Sequence, residues 1–205
     1  MSRARLAGPL LALLMLAGVA GTGFAQAAPE TKPAEPAPPA AGEPSSPMRQ
    51  PGDAFGKEVT LPDRTIIYLK GHTNWDAAFD TLVQAFKTLH GYLDKEGIAP
   101  SGPAMTIYTQ TDETGFQFEA AYPVAKAPAN PPKGDIAAGQ APSGKALEFV
   151  HRGSYDGMDS TYEAITNYLD DHGLDAKDMF IEEYETDPAN ADPDKLVVHV
   201  FVPVK

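Results

Sequence analysis

Three carboxylates fall close together in the stretch Phe180-Ile181-Glu182-Glu183-Tyr184-Glu185. Read as a strand, alternate side chains share a face. Phe180, Glu182 and Tyr184 then point one way, and Ile181, Glu183 and Glu185 the other. Glu182 is flanked on its own face by two aromatic rings, a poor setting for hydration. A carboxylate removed from water needs an opposite charge or a proton, and aromatic faces add cation–π attraction. The chemistry this suggests is recognition of a cation. The same pattern also fits a solvated edge strand bearing three surface charges, and the pattern alone leaves both readings open.

Aromatic side chains gather on the elements that would meet this strand: Tyr68, Trp75, Tyr108, Phe118, Tyr155 and Tyr162. Each could be ordinary core. A buried tyrosine, unlike phenylalanine, needs a partner for its hydroxyl. Several together suggest a wall with polar handles, suited to a flat or cationic ligand. Other chemistries find less support. His72, His90, His151, His172 and His199 show no helical zinc spacing and no H-E-x-x-H, so no metal is expected. His151 and Ser154 are close in sequence, but there is no G-x-S-x-G elbow. Gly139, Gly144 and Gly153 form no dinucleotide or phosphate fingerprint, and no cofactor is expected.

These residues are carried by a repeated unit. Tyr92-Leu93-Asp94-Lys95-Glu96-Gly97-Ile98 returns as Tyr168-Leu169-Asp170-Asp171-His172-Gly173-Leu174. The same offset carries Tyr108 onto Tyr184 and Thr106 onto Glu182, so the tyrosine recurs and the acid does not. Tyr122-Pro123-Val124 is echoed by Val202-Pro203-Val204. Such self-similarity indicates one supersecondary unit used twice, with a seam where a pocket can form.

In the first copy, 65–69 reads as a strand and 71–74 as a turn, with Thr73 and Asp76 spaced as an N-cap and its partner. Trp75, Phe79, Leu82, Phe86, Leu89 and Leu93 mark one face of a helix that Gly97 would stop. Strands at 105–110 and 116–122 flank a hairpin turn at 112–115. In the second copy, the strand is 145–152, Asp156 and Asp159 repeat the cap spacing, and Met158, Tyr162, Ile165 and Leu169 give a helical stripe ended by Gly173. Strands at 180–186 and 196–202 close the chain. The first helix reads as about two turns longer than the second. The expected fold is α+β: duplicated strand–helix–strand–strand units (58–124 and 144–205, joined by a Pro/Ala/Gly-rich connector at 125–143) forming a mainly antiparallel sheet with two helices.

Upstream, Arg3 and Arg5 precede an apolar run from Leu6 to Ala20 and an Ala25-Gln26-Ala27 ending. Residues 1–27 therefore read as a secretory signal peptide, with no transmembrane anchor after cleavage. Residues 28–57 are rich in Pro and Ala and read as a disordered, semi-extended tether. The chain has no Cys, which excludes disulfides, thiolate metal sites and thiol nucleophiles. The leader holds two of the 16 basic residues and no acid, leaving 14 basic against 28 acidic. Nucleic-acid binding, which wants a basic footprint, is disfavoured.

Residues 58–205 resemble the GyrI-like small-molecule-binding family, the effector-binding domain found beside AraC- and MerR-type DNA-binding domains and also as stand-alone proteins. The resemblance is carried by His151-Arg152-Gly153-Ser154-Tyr155-Asp156, by Tyr168-Leu169, by Glu182-Glu183-Tyr184-Glu185-Thr186-Asp187-Pro188 and by Val200-Phe201-Val202-Pro203-Val204. It implies a ligand groove between the two halves. There a glutamate of the second repeat, here Glu182 with Tyr184 beside it, recognises cationic and often lipophilic compounds. Trp75 and Tyr155 would line the groove from the helix starts. Some stand-alone members are similar to hydrolases of strained rings, with a groove Glu and Tyr as the reacting groups.

Unlike the regulators, this chain has no DNA-binding helices and carries a leader. The expected protein is an exported, periplasmic or secreted binder of a hydrophobic or cationic small molecule, using Glu182, Tyr184, Tyr108, Trp75, Tyr155, Phe118 and Tyr162. A hydrolase using Glu182 and Tyr184, or a protein-interaction module of the envelope, is the alternative.

Overall fold

The computed structural model describes residues 50–130 and 132–205. The expected leader and the tether up to residue 49 lie outside them. The chain runs β1 (Phe55–Leu61), β2 (Thr65–Asn74), a 3-10 turn Trp75–Ala77, α1 (Ala78–Glu96), β3 (Met105–Thr111), β4 (Gly115–Pro123), β5 (Ile136–Gln140), β6 (Gly144–Gly153), a 3-10 turn Tyr155–Gly157, α2 (Met158–His172), β7 (Phe180–Tyr184) and β8 (Leu196–Pro203). All the strands join one antiparallel sheet in the order β1-β6-β8-β7-β3-β4-β2-β5. The duplicated α+β plan expected from the repeat is present. Among the described residues, no helix is long and apolar enough to cross a membrane.

Two strands escaped the sequence reading. β1 takes in 55–57, the last residues of the expected tether, and β5 lies inside the expected connector. Both are exchanged between halves: β1 leads into β2 but pairs with β6, and β5 leads into β6 but pairs with β2. In a flat sheet the strands that these links join, β1 with β2 and β5 with β6, would lie six places apart, roughly 29 Å. The three-residue links 62–64 and 141–143 reach about 14 Å at most. The sheet must therefore curl until its two edges meet. They do: Leu61 of β1 packs in one apolar cluster with Ile66 of β2 and with Ala141, just past β5. Inside the curl lies an apolar cluster of Leu61, Ile66, Met105, Ile107, Ala121, Ala141, Ala146, Ile181 and Phe201. Tyr68 packs on this side, away from the expected site. Arg64 and Glu183 form an ion pair beside it.

Both helices cover the other face. α1 buries Ala78, Leu82, Ala85, Phe86, Leu89 and Leu93, following the expected stripe except that Trp75 is exposed. α2 buries only Met158, Ile165 and Leu169. Gly97 and Gly173 end the helices in the left-handed region, at φ 65° and 61°, where a Cβ is penalised. Several local expectations need correction. β2 continues to Asn74, and Asn74, not Thr73, caps the turn, its Oδ1 accepting from the Ala77 amide at 2.9 Å. The second helix starts from Ser154, with no side-chain cap, so Asp156 and Asp159 do not play that part. α1 has 19 residues and α2 has 15, a difference of about one turn rather than two.

The ladder between halves fixes the symmetry. The repeat offset carries Thr106 onto Glu182 and Tyr108 onto Tyr184 (182 − 106 and 184 − 108 are both 76). In the β3–β7 ladder Thr106 is also the direct partner of Glu182. A residue paired with its own repeat equivalent sits on the pseudo-two-fold axis. The charge difference between Thr106 and Glu182 therefore falls on that axis.

β1 is anchored through Gly56. Its φ is 71°, and an added Cβ would lie 2.1 Å from the Tyr168 ring. Tyr168 also donates to the Gly56 carbonyl at 3.2 Å. Gly56→Ala should destabilise the protein by about 1–3 kcal/mol. Gly134→Ala, where φ is 77° but a Cβ meets nothing within 4 Å, should cost less. Urea midpoints at unchanged slope measure both.

Candidate functional site

On the helix-covered face, β7 presents Phe180, Glu182 and Tyr184 as its alternation requires, while Glu183 turns to Arg64 behind the sheet. Glu182 is 1% exposed. Its Oε1 accepts from the Tyr162 hydroxyl at 2.6 Å and its Oε2 from the Tyr184 hydroxyl at 2.5 Å. Tyr184 has one proton and gives it to Glu182. The Thr106 hydroxyl, 3.0 Å away, must therefore donate to the Tyr184 oxygen. The Tyr108 and Tyr155 hydroxyls share a hydrogen bond at 3.1 Å. Among the described residues no Lys, Arg or His forms an ion pair with Glu182.

Burial raises the Glu182 pKa above its ordinary 4.5, and the hydroxyls of Tyr162, Tyr184 and Tyr108 hold back part of that rise. The tyrosines move further from ionisation. Burial, reinforced by the Glu182 charge, lifts Tyr108, Tyr155, Tyr162 and Tyr184 well above 10. They stay neutral donors. The arrangement holds one carboxylate by hydroxyl dipoles alone, among aromatic rings, with no resident counter-charge.

The rings extend outward in two chains. Tyr155 packs on Phe79 of α1 with centroids 5.0 Å apart, and Tyr162 meets Phe180 edge-on at 5.4 Å. Tyr108 contacts Phe116 at 5.0 Å, and Trp75 contacts Phe116 at 4.9 Å. Of the residues expected in the site, Glu182, Tyr184, Tyr108, Tyr155 and Tyr162 come together. Trp75 reaches them only through Phe116; it is 46% exposed, and its indole N–H donates to the Asp112 carbonyl. Phe118 is buried beside Tyr108 in the β3–β4 ladder, and its ring lies over Gly71. A Cβ at Gly71 would lie 2.4 Å from that ring, so glycine there lets it pack.

Thr106, Phe79 and Phe116 were not expected as site residues. Thr106 was legible only as the repeat partner of Glu182. Phe79 looked like any other member of the helical stripe. The site is also not an open trough, since side chains fill the seam and seal the carboxylate.

The remaining polar residues of the matching stretches are structural. The His151 Nε2–H donates to the Ser154 carbonyl at 3.0 Å, and its Nδ1 lies 2.8 Å from the Thr161 hydroxyl. Burial lowers its pKa and keeps it neutral. The Asp187 carboxylate accepts from the Tyr122 hydroxyl and contacts His90, joining the β7–β8 link to β4 and α1.

The fold and this buried cluster define a small-molecule-binding domain. The chain belongs to the GyrI-like family: the GyrI-like small molecule binding domain matches residues 57–205. Solved structures share the fold. The chain in the EcmrR–DNA complex is 17% identical with TM-score 0.62, over 73% of this chain and 56% of that one. This chain thus spans little more than half of that EcmrR chain. The EcmrR C-terminal domain is 17% identical with TM-score 0.58, over 73% and 96%. SAV2435 bound to tetraphenylphosphonium is 14% identical with TM-score 0.52, over 73% and 93%. No curated protein matches.

The raised Glu182 pKa has a sign. Between the unfolded and folded values the native state holds the extra proton, so stability falls as pH rises through that window and levels off above it. Glu182→Gln removes this contribution. The wild-type minus Glu182→Gln difference in unfolding free energy should decline from about pH 4.5 upward, then become flat. Urea titrations across pH measure it.

Proposed function

We propose that this protein binds a lipophilic monocation, with Glu182 as the charge partner and Tyr108, Tyr155, Tyr162 and Tyr184 as the surrounding faces. The observation that carries the reading is a carboxylate 1% exposed whose partners are all neutral hydroxyls. Burying a lone carboxylate costs several kcal/mol unless something offsets it. Hydroxyl donors offset part, and a cation entering the cluster would offset the rest. Both carboxylate oxygens already accept strong hydrogen bonds, so a delocalised cation without N–H donors suits the site better than a primary amine. The aromatic faces supply cation–π attraction of about 0.5–2 kcal/mol each. Tetraphenylphosphonium, the ligand of SAV2435, has this chemistry and is the natural probe.

The leader composition supports export, and we place the mature protein in the periplasm or outside the cell. N-terminal sequencing of protein recovered from the envelope should give Ala28 as the first residue. Recovery of an intact Met1 terminus would refute this.

Calorimetric titration tests the binding reading. Wild type should bind tetraphenylphosphonium, and Glu182→Gln should weaken it about 10- to 100-fold, or ~1.4–2.8 kcal/mol. A neutral triphenylphosphine oxide should be affected much less. Equal loss for cation and neutral analogue would mean that Glu182 shapes the cluster without pairing a charge.

A further inference from the structure

The sealed carboxylate raises the question of how a ligand reaches it. Beyond the Tyr108–Phe180 pair the β3–β7 ladder ends. β3 runs on to Thr111, bonded only to β4, while the segment before β7 diverges from it. Between them lies a notch of about 370 Å³. Its outer walls are polar and exposed, with Thr109, Gln110 and Thr111 on one side and Lys177 and Asp178 on the other. Its less exposed lining is Tyr108, Phe180, Ala176 and Met179. Of these, Tyr108 and Phe180 also belong to the rings around Glu182.

They differ in what holds them. Tyr108 is 4% exposed and tied by its hydroxyl to Tyr155. Phe180 is half-buried, is the first residue of β7 and has no polar atom on its side chain. Its ring meets Tyr162 edge-on, at 83° between planes. Tyr162 in turn donates to Glu182. A rotation of the Phe180 ring toward the notch breaks no hydrogen bond and removes the edge contact on Tyr162, whose hydroxyl donates to Glu182. Moving Tyr108 instead costs its bond to Tyr155.

We propose that the ligand enters by this notch, at the open end of the β3–β7 ladder, and that Phe180 is the gate between the notch and Glu182. The proposal rests on the cation-binding reading and adds the route and the residue that controls it. The rim carries one acid and one base, so it does not select by charge. Selection occurs past the gate, at the carboxylate. Phe180 thus sets how fast a ligand exchanges more than how tightly it is held. A gating side chain whose motion limits exchange moves on- and off-rates together.

Exchange broadening of the single phosphorus resonance of tetraphenylphosphonium gives both rates. Phe180→Ala and Phe180→Leu, each checked for native circular dichroism, should raise association and dissociation by roughly tenfold or more for Ala and by less for Leu. The dissociation constant should change less than either rate. Phe79→Ala, which loosens the ring packed against Tyr155, should change the rates less than Phe180→Ala. Unchanged rates in both Phe180 variants, or acceleration in Phe79→Ala instead, would overturn the gate while leaving the cation reading intact. Absence of binding to wild type would overturn the cation reading, and the gate with it.

Discussion

The burial of one carboxylate on the pseudo-two-fold axis governs this structure. Glu182 lies where each repeat meets its own copy, opposite Thr106. Two acids at that point would face each other across a strand pair, about 5 Å apart, and could not both ionise in a buried setting. Threonine resolves the conflict and also contributes. Its hydroxyl donates to Tyr184, which leaves the Tyr184 proton free for Glu182. Asymmetry at the axis is therefore the condition for a single, hydroxyl-held charge.

The rest of the fold keeps that charge out of water. β7 and β3 lie at the middle of the sheet, as far from its edges as two strands can be. Exchange of β1 and β5 between halves curls the sheet, so the back of this central pair is also packed. In front, Tyr155 and Tyr162 arrive from the start and first turns of α2, and Phe79 from α1. The two helices are unequal partners. α1 is fixed by six buried side chains and α2 by three. The helix that holds Tyr162 on Glu182 is thus the less deeply anchored one.

Much of this was legible in the sequence, for identifiable reasons. The strand alternation around Glu182 has a period of two and needs no tertiary information, so the facing of Phe180, Glu182 and Tyr184 followed directly. The helix stripes and the Gly97 and Gly173 stops were read by equally local rules. The repeat offset joined Thr106 to Glu182 before their pairing was known. What was missed depends on contacts across the fold. β5 (IAAGQ) is short and rich in Ala and Gly, β1 (FGKEVTL) carries a glycine and a Lys-Glu pair, and both are strands because a distant strand accepts them. Trp75 sits on the apolar stripe of its helix start yet lies in solvent, because Phe116 takes the inner position beside Tyr108. That the aromatic wall closes over the carboxylate cannot be read from spacing, since it depends on side chains from both repeats filling the same space.

The central claim is that burial raises the Glu182 pKa and that a bound cation lowers it again. Proton release on binding measures this directly. At mildly acidic pH, calorimetric titration of tetraphenylphosphonium in buffers of different ionisation enthalpy gives the number of protons liberated. A bound cation lowers the Glu182 pKa, so wild type should release a fraction of a proton per ligand and Glu182→Gln should release none. Equal, buffer-independent heats in both proteins would contradict the claim.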